Sequence, residues 1–190
     1  MTKLLGISGS LRHGSYNSAL LRAAVAMTPQ GVELHPASIR GIPLYDADVE
    51  ATDGIPDTVA QLKELVAGAD GLMLFTPEYN NSIPGVFKNA VDWMSRPASD
   101  IKRVFGGKPV AVLGASAGGF GTVLSQNAWL PVLRTLGTEP WFGGRMLVAR
   151  AHSVFDQAGA IVDDGVRQQL HDFVRGFAEF AERTKTQAGR

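Results

Sequence analysis

The stretch Gly71-Leu72-Met73-Leu74-Phe75-Thr76-Pro77-Glu78-Tyr79-Asn80 decides the fold. From Leu72 to Phe75 every residue is apolar, with no alternation between two faces. A strand of that character is buried on both sides, and such strands belong to parallel sheets covered by helices above and below. Pro77 and the asparagines after it supply turn chemistry at the strand's carboxyl end.

The same sequence of events repeats on either side. Residues 3–8, 32–39, 109–113 and 145–149 read as four further strands, each leading through a loop to a segment of helical spacing. Ala19, Leu20, Ala23, Ala24 and Met27 share one helix face. Val59, Leu62, Leu65 and Val66 form a second inward stripe, behind a helix that Pro56 opens at its first position. Ser82 is the expected N-cap of a third helix, with Val86, Phe87, Ala90, Val91 and Met94 turned inward and Lys88 spaced to pair with Asp92. A fourth helix over 122–136 contains Pro131, which should kink or interrupt it. A closing helix over 163–182 buries Val166, Leu170, Phe173, Val174, Phe177 and Ala181.

Five strands alternating with five helices predict an α/β fold, a doubly wound parallel sheet in three layers, α/β/α. The five-strand version of this pattern runs 2-1-3-4-5, and its ligands bind at the carboxyl ends of the strands where the order reverses. The loops after Ser8, Phe75 and Leu113 are therefore the places to look for chemistry.

Bulk properties narrow the classes. The 190 residues suit a single domain spanning 1–190, and 45% hydrophobic against 19% charged residues is the balance of a folded chain. Eighteen basic and eighteen acidic residues leave no net charge. That argues against nucleic acid as a partner, since a phosphate backbone demands a basic face. Cysteine is absent, which removes thiolate chemistry and sulfur-bound metals. No stretch approaches the ~20 apolar residues of a membrane span, and the N-terminal apolar run is too short for a signal sequence. A cytoplasmic protein without membrane partners is the expectation. His13, His35, His152 and His171 lack metal-ligand spacing.

The first loop, Ser8-Gly9-Ser10-Leu11-Arg12-His13-Gly14-Ser15-Tyr16-Asn17-Ser18, is rich in hydroxyls and carries one arginine ahead of a helix start. Helix N-termini offer free N–H groups and positive potential to a phosphate. The glycine spacing of a dinucleotide fingerprint is missing, and no Gly-Lys-Ser/Thr follows. Such donors suit one terminal phosphate monoester, as in FMN. The plainer reading is that Ser15, Asn17 or Ser18 merely caps the helix.

The second loop, with Pro77, Glu78, Tyr79 and Asn80, can offer backbone donors to a flavin ring and leave one face open; the alternative is an ordinary turn with a solvated Glu78. The third loop, Gly114-Ala115-Ser116-Ala117-Gly118-Gly119-Phe120-Gly121, can bring backbone amides close to the pyrimidine edge, or serve only as a flexible lead into a helix.

Gly9-Ser10-Leu11-Arg12 with Ser15 and Asn17 resembles the phosphate loop of the NADPH-dependent FMN reductase family, which includes chromate, quinone and some azo-dye reductases. Thr76-Pro77-Glu78-Tyr79-Asn80, Ser82, Pro84-Gly85, Lys88-Asn89-Ala90 and Asp92-Trp93 resemble its second signature. Ile42-Pro43-Leu44-Tyr45-Asp46-Ala47-Asp48 and Ser95-Arg96-Pro97 are similar to it as well. The likeness is specific up to about Pro97, looser through Gly121, and past Leu136 a matter of pattern and length.

The resemblance implies a flavodoxin-like fold, bound FMN, and NADPH or NADH as electron donor. It implies a cofactor site drawn from Ser10, Leu11, Arg12, Ser15, Tyr16, Asn17, Ser18, Pro77, Glu78, Tyr79, Asn80, Ser116 and Gly118. A homodimer or homotetramer is also implied, with Phe87, Trp93 and Met94 helping to build a dimer surface. The expected reaction is reduction of a small-molecule electron acceptor such as a quinone, chromate, azo compound or flavin, with no catalytic side chain required. The alternative is an FMN-bearing electron-transfer protein that does not oxidise nicotinamide. Such carriers tend to be strongly acidic, and this chain has no net charge.

Overall fold

The computed structural model describes residues 1–188. In chain order it runs β1 (Thr2–Ser8), α1 (Tyr16–Ala26), β2 (Val32–Ser38), α2 (Ala47–Asp53), α3 (Asp57–Gly68), β3 (Gly71–Phe75) and α4 (Gly85–Met94). Then follow α5 (Ile101–Phe105), β4 (Pro109–Ala115), α6 (Val123–Thr135), β5 (Glu139–Pro140), β6 (Leu147–Val148), α7 (Ala151–Val154) and α8 (Asp164–Ala188). The strands are parallel in the order β2-β1-β3-β4-β5, with β6 also paired to β4. This is the flavodoxin-like arrangement, with β1 and β3 flanking the point of reversal. No helix among the described residues is long and apolar enough to cross a membrane.

β3 shows why its sequence is apolar throughout. Met73 and Phe75 pack into the core beneath α1 and α8, while Leu72 and Leu74 pack into the opposite core beneath α3, α4 and α6. All four are at most 2% exposed. Successive side chains of a strand point to opposite faces, so a strand covered on both sides has no polar phase.

The structure corrects several expectations. The fifth strand is not one run over 145–149 but two short pieces on β4. Glu139–Pro140 pairs beside Pro109 and Val110, and Leu147–Val148 pairs beside Gly114 and Ala115. The chain leaves the sheet only after Trp141, whose N–H still donates to Val110 O at 2.8 Å, and then returns. α6 runs through Pro131 uninterrupted. Pro131 and Asn127 are both exposed, so the Asn127 carbonyl that proline leaves without a donor faces water.

Ser82 does not cap α4; Pro84 occupies that position. The backbones of Tyr79 and Ser82 instead bond to each other in both directions, at 3.2 and 3.0 Å. They close a turn over Asn80 and Asn81, whose φ values of 50° and 61° lie in the left-handed region that asparagine tolerates.

Leu65 and Val86 are exposed rather than inward. In α3 the buried neighbour is Lys63, whose Nζ lies 2.7 Å from Asp100 Oδ2. Phe87, Trp93 and Met94 are each 0% exposed within a single chain, so they form core and cannot present a dimer surface. The Lys88–Asp92 pair is present at 2.6 Å.

One close crossing sets the sheet's functional edge. A Cβ on Gly114 would stand 2.1 Å from the Thr76 carbonyl oxygen and 2.5 Å from Thr122 Oγ1. Gly114→Ala should therefore cost about 1–3 kcal/mol of stability by overpacking, seen as a lower urea midpoint; an unchanged midpoint would show that the crossing is loose.

Asp100 offers a pH test. Hydrogen bonds from Arg103, then Lys63, hold its carboxyl far below the usual carboxylate range. A carboxylate depressed in the folded state stabilises fully above its unfolded pKa of about 3.9, and loses that contribution as the pH falls further. Asp100→Asn should flatten the acid limb of the stability curve, and an equally steep limb would assign acid lability elsewhere.

Candidate functional site

Parallel pairing delivers three strand ends to one edge. The ladder continues one rung past the strands, with Gly9 N–H donating to Phe75 O at 2.9 Å and Thr76 N–H donating to Leu113 O at 2.8 Å. The three loops thus leave the sheet side by side. The first is pressed onto α4, where a Cβ on Gly9 would lie 2.0 Å from Phe87 Cδ1, so only glycine fits.

Between the loops lies a cleft of about 370 Å³. Ser10, Arg12, Ser15, Tyr16 and Asn17 line one end; Pro77, Glu78, Tyr79, Ala115, Ser116 and Ala117 line the other. Its size falls among small-molecule sites, and other grooves exist that bring together none of these loops. Nine of the residues expected from sequence meet here. Leu11, Ser18, Asn80 and Gly118 do not line the cleft.

Those four have other placements. The Leu11 carbonyl accepts from Arg40 Nη2 at 2.7 Å, and the hydroxyls of Ser18 and Ser8 lie 2.9 Å apart beneath the loop. Asn80 sits at the tip of the tight turn. The Gly118 carbonyl accepts from Arg150 N–H at 2.9 Å.

At the hydroxyl end, Ser15 is the N-cap of α1, its Oγ accepting from Ser18 N–H at 3.2 Å. Capping and cleft lining coexist in this one residue. The first turn of α1 carries no acidic residue, so nothing offsets the helix's positive end. The Arg12 guanidinium lies 5.4 Å from the centre of the Tyr16 ring, which in turn stacks on Phe155 at 5.7 Å. Stacking of this kind is worth about 0.5–1 kcal/mol at an exposed site, and it holds the arginine beside the helix start. Free N–H groups, hydroxyls and a restrained arginine without a competing carboxylate fit a dianionic phosphate monoester.

At the other end, Glu78 is tied down. Its Oε2 accepts from Leu124 N–H at 2.8 Å and Ser125 N–H at 3.0 Å, capping α6 from a distant loop. Thr122, at the N-cap position itself, makes no side-chain cap bond. Thr76 Oγ1 lies 2.8 Å from Ser125 Oγ and accepts from Trp129 Nε1 at 3.1 Å, which fixes the same loop to the same helix. Tyr79 stands half exposed at the mouth. Ser116 Oγ donates to the Gly121 carbonyl at 2.6 Å and shapes the third loop.

Behind the cleft, the chain from Ile39 to Asp46 is held on α4, where Asn89 Nδ2 and Trp93 Nε1 both donate to Pro43 O. Glu50 accepts from Tyr45 OH at 2.9 Å and from Arg96 Nε at 2.8 Å, and the Arg96 bond holds its carboxyl below the usual range.

Sequence reasoning quoted Thr76, Ala115 and Ala117 within their loops without naming them as site residues, and it passed over Arg40. A lone arginine at the exit of β2, next to β1 and its hydroxyl-rich loop, is a signal for Arg40; the two alanines carry none by residue type.

Fold and site together define the flavodoxin-like class, with a hydroxyl- and arginine-lined cleft at the β1 exit. Residues 2–153 match the family model described as NADPH-dependent FMN reductase, and the chain belongs to that family of oxidoreductases, which use FMN and a reduced nicotinamide. It is 43% identical to an NAD(P)H-dependent FMN reductase from Pseudomonas aeruginosa, over 96% of this chain and 97% of that one. It is 36% identical to a 2-hydroxy-1,4-benzoquinone reductase from a Burkholderia species, over 93% and 94% of the two chains. Among solved structures, the flavoenzyme NAD(P)H:(acceptor) oxidoreductase FerB from Paracoccus denitrificans superimposes with a TM-score of 0.85 at 30% identity, over 97% of this chain and 99% of that one.

The capping role of Glu78 predicts a graded response. Glu78→Ala should lower stability by about 1 kcal/mol through loss of a helix cap, while Glu78→Gln, which keeps an acceptor oxygen, should recover most of it. Equal melting temperatures for Glu78→Ala and the parent would show that the cap contributes nothing.

Proposed function

We propose that this protein is an NAD(P)H-dependent FMN oxidoreductase whose acceptor is a small quinone. The observation that carries the reading is the single cleft that joins the Ser10–Asn17 cradle to the Pro77–Tyr79 and Ala115–Ala117 loops. The relatives lend support to the acceptor class, since a 36% identical protein of Escherichia coli, aligned over 96% of this chain, is named quinone reductase.

FMN, when bound, would supply the hydride and electron-transfer chemistry between the nicotinamide and the acceptor. The chain's own residues bind and orient. Ser10, Arg12, Ser15 and the first-turn N–H groups at Tyr16 and Asn17 would hold the phosphate. Leu11 would shape the cradle through its Arg40-bound carbonyl, and Ser18 through its contact with Ser8. Pro77, Tyr79 and the backbone around Glu78 and Asn80 would flank the ring, and Ser116 and Gly118 would border its pyrimidine edge. No side chain need donate or accept a proton in the redox step. Tyr79, half exposed at the mouth, is placed to meet the acceptor.

An FMN shuttle that docks on protein partners is a weaker reading, because no net charge is available to steer it. A homodimer or homotetramer in the cytoplasm accompanies the proposal.

Anaerobic mixing of the FMN-loaded protein with NADPH or NADH should bleach the visible flavin band, and a benzoquinone should restore it within the mixing time. Persistent colour with both nicotinamides would exclude the reductase, and bleaching that chromate or an azo dye reverses faster than any quinone would exclude the acceptor.

A further inference from the structure

Asn17 lies in the phosphate-type loop and lines the cleft, so its residue type and place suggest a phosphate ligand. Its side chain is otherwise engaged. It is 3% exposed; Nδ2 donates to the Ala115 carbonyl at 2.9 Å, and Oδ1 accepts from Ala115 N–H at 2.9 Å. Both ends of the carboxamide are thus committed to one peptide position 98 residues away.

The position of Ala115 explains the pairing. In a parallel ladder successive residues direct their N–H groups to opposite sides. Gly114 N–H and Ser116 N–H bond to Met146 O and Val148 O on the β6 side, so Ala115 N–H faces the β3 side. There the ladder has already ended, with Thr76 N–H bonded to Leu113 O as the last rung. Two polar groups of the β4 backbone would be left without a strand partner, and leaving such groups buried and unpaired is costly. The carboxamide of Asn17 supplies the missing partner and extends the sheet by one side chain.

Resting on the FMN reading above, we propose that Asn17 is a positioning residue, not a phosphate ligand. It rivets the start of α1 to the end of β4, and so sets the spacing between the phosphate cradle and the Ser116–Ala117 edge that meets the ring. The two ends of the cofactor site are then coupled through one side chain, and removing it disturbs ring binding as well as phosphate binding.

Riboflavin separates the alternatives, because it has the ring and ribityl chain of FMN without the phosphate. Apo-protein is titrated with each flavin by fluorescence quenching. Arg12→Ala, which removes a phosphate contact, should weaken FMN and leave riboflavin unchanged. Asn17→Ala should weaken both flavins by a similar factor, about ten-fold for the loss of a buried hydrogen-bonded pair. In the same variant, amide hydrogen exchange at Ala115 should accelerate even without flavin.

Asn17→Asp, which keeps the acceptor but loses the donor, should also weaken riboflavin, and it serves where the alanine variant folds poorly. An Asn17→Ala variant that loses FMN affinity but binds riboflavin like the parent would make Asn17 a phosphate ligand and overturn the proposal alone. Unchanged affinity for both flavins, or an unchanged riboflavin constant in Asn17→Asp, would overturn it too. A parent protein that binds neither flavin would overturn this proposal together with the FMN reading.

Discussion

Two backbone hydrogen bonds, from Gly9 N–H to Phe75 O and from Thr76 N–H to Leu113 O, hold the exits of three parallel strands in one row. Everything at the functional edge depends on that alignment. The register sets Ile7 beside Leu74 and Leu74 beside Val112, so the three chains leave the sheet level with one another. The packing there leaves no slack, as Gly9 against Phe87 and Gly114 against Thr76 show. A parallel sheet buried on both faces creates a level edge, and loops on that edge inherit a fixed spacing.

The electrostatics follow from what each helix start is given. α1 begins without a carboxylate and with Arg12 stacked nearby, so its positive end stays available to an anion. α6 begins under the same loops, yet its first N–H groups are taken by Glu78. Two helix N-termini at one edge are thereby made unequal, one left without a carboxylate and one closed by the protein's own acid. The carboxylate that closes α6 also anchors the loop bearing Tyr79, so a single contact settles both the charge and the shape of that end of the cleft.

Much of this was legible in the amino-acid sequence. The unbroken apolar run through Phe75 announced a central parallel strand, and strand order followed from the alternation of elements. The hydroxyls after Ser8 and the Thr76–Asn80 signature pointed to the cleft. What escaped had physical reasons. The split fifth strand has two residues in each piece, too few for any period to show. Lys63 is buried only because Asp100, far along the chain, is there to meet it. Phe87, Trp93 and Met94 were expected at a dimer surface, but helical periodicity cannot tell a core stripe from an interface stripe. The hydrogen bonds of Asn17 to Ala115 and of Glu78 to Leu124 join partners that no local pattern reveals.

The most direct measurement of the account is amide hydrogen exchange across the whole chain with and without FMN. Protection confined to residues 9–18, 76–82 and 114–121 is the predicted result, since those three segments form the cleft. Protection centred on the groove between Trp141 and α8, or on one of the three segments without the other two, would contradict it.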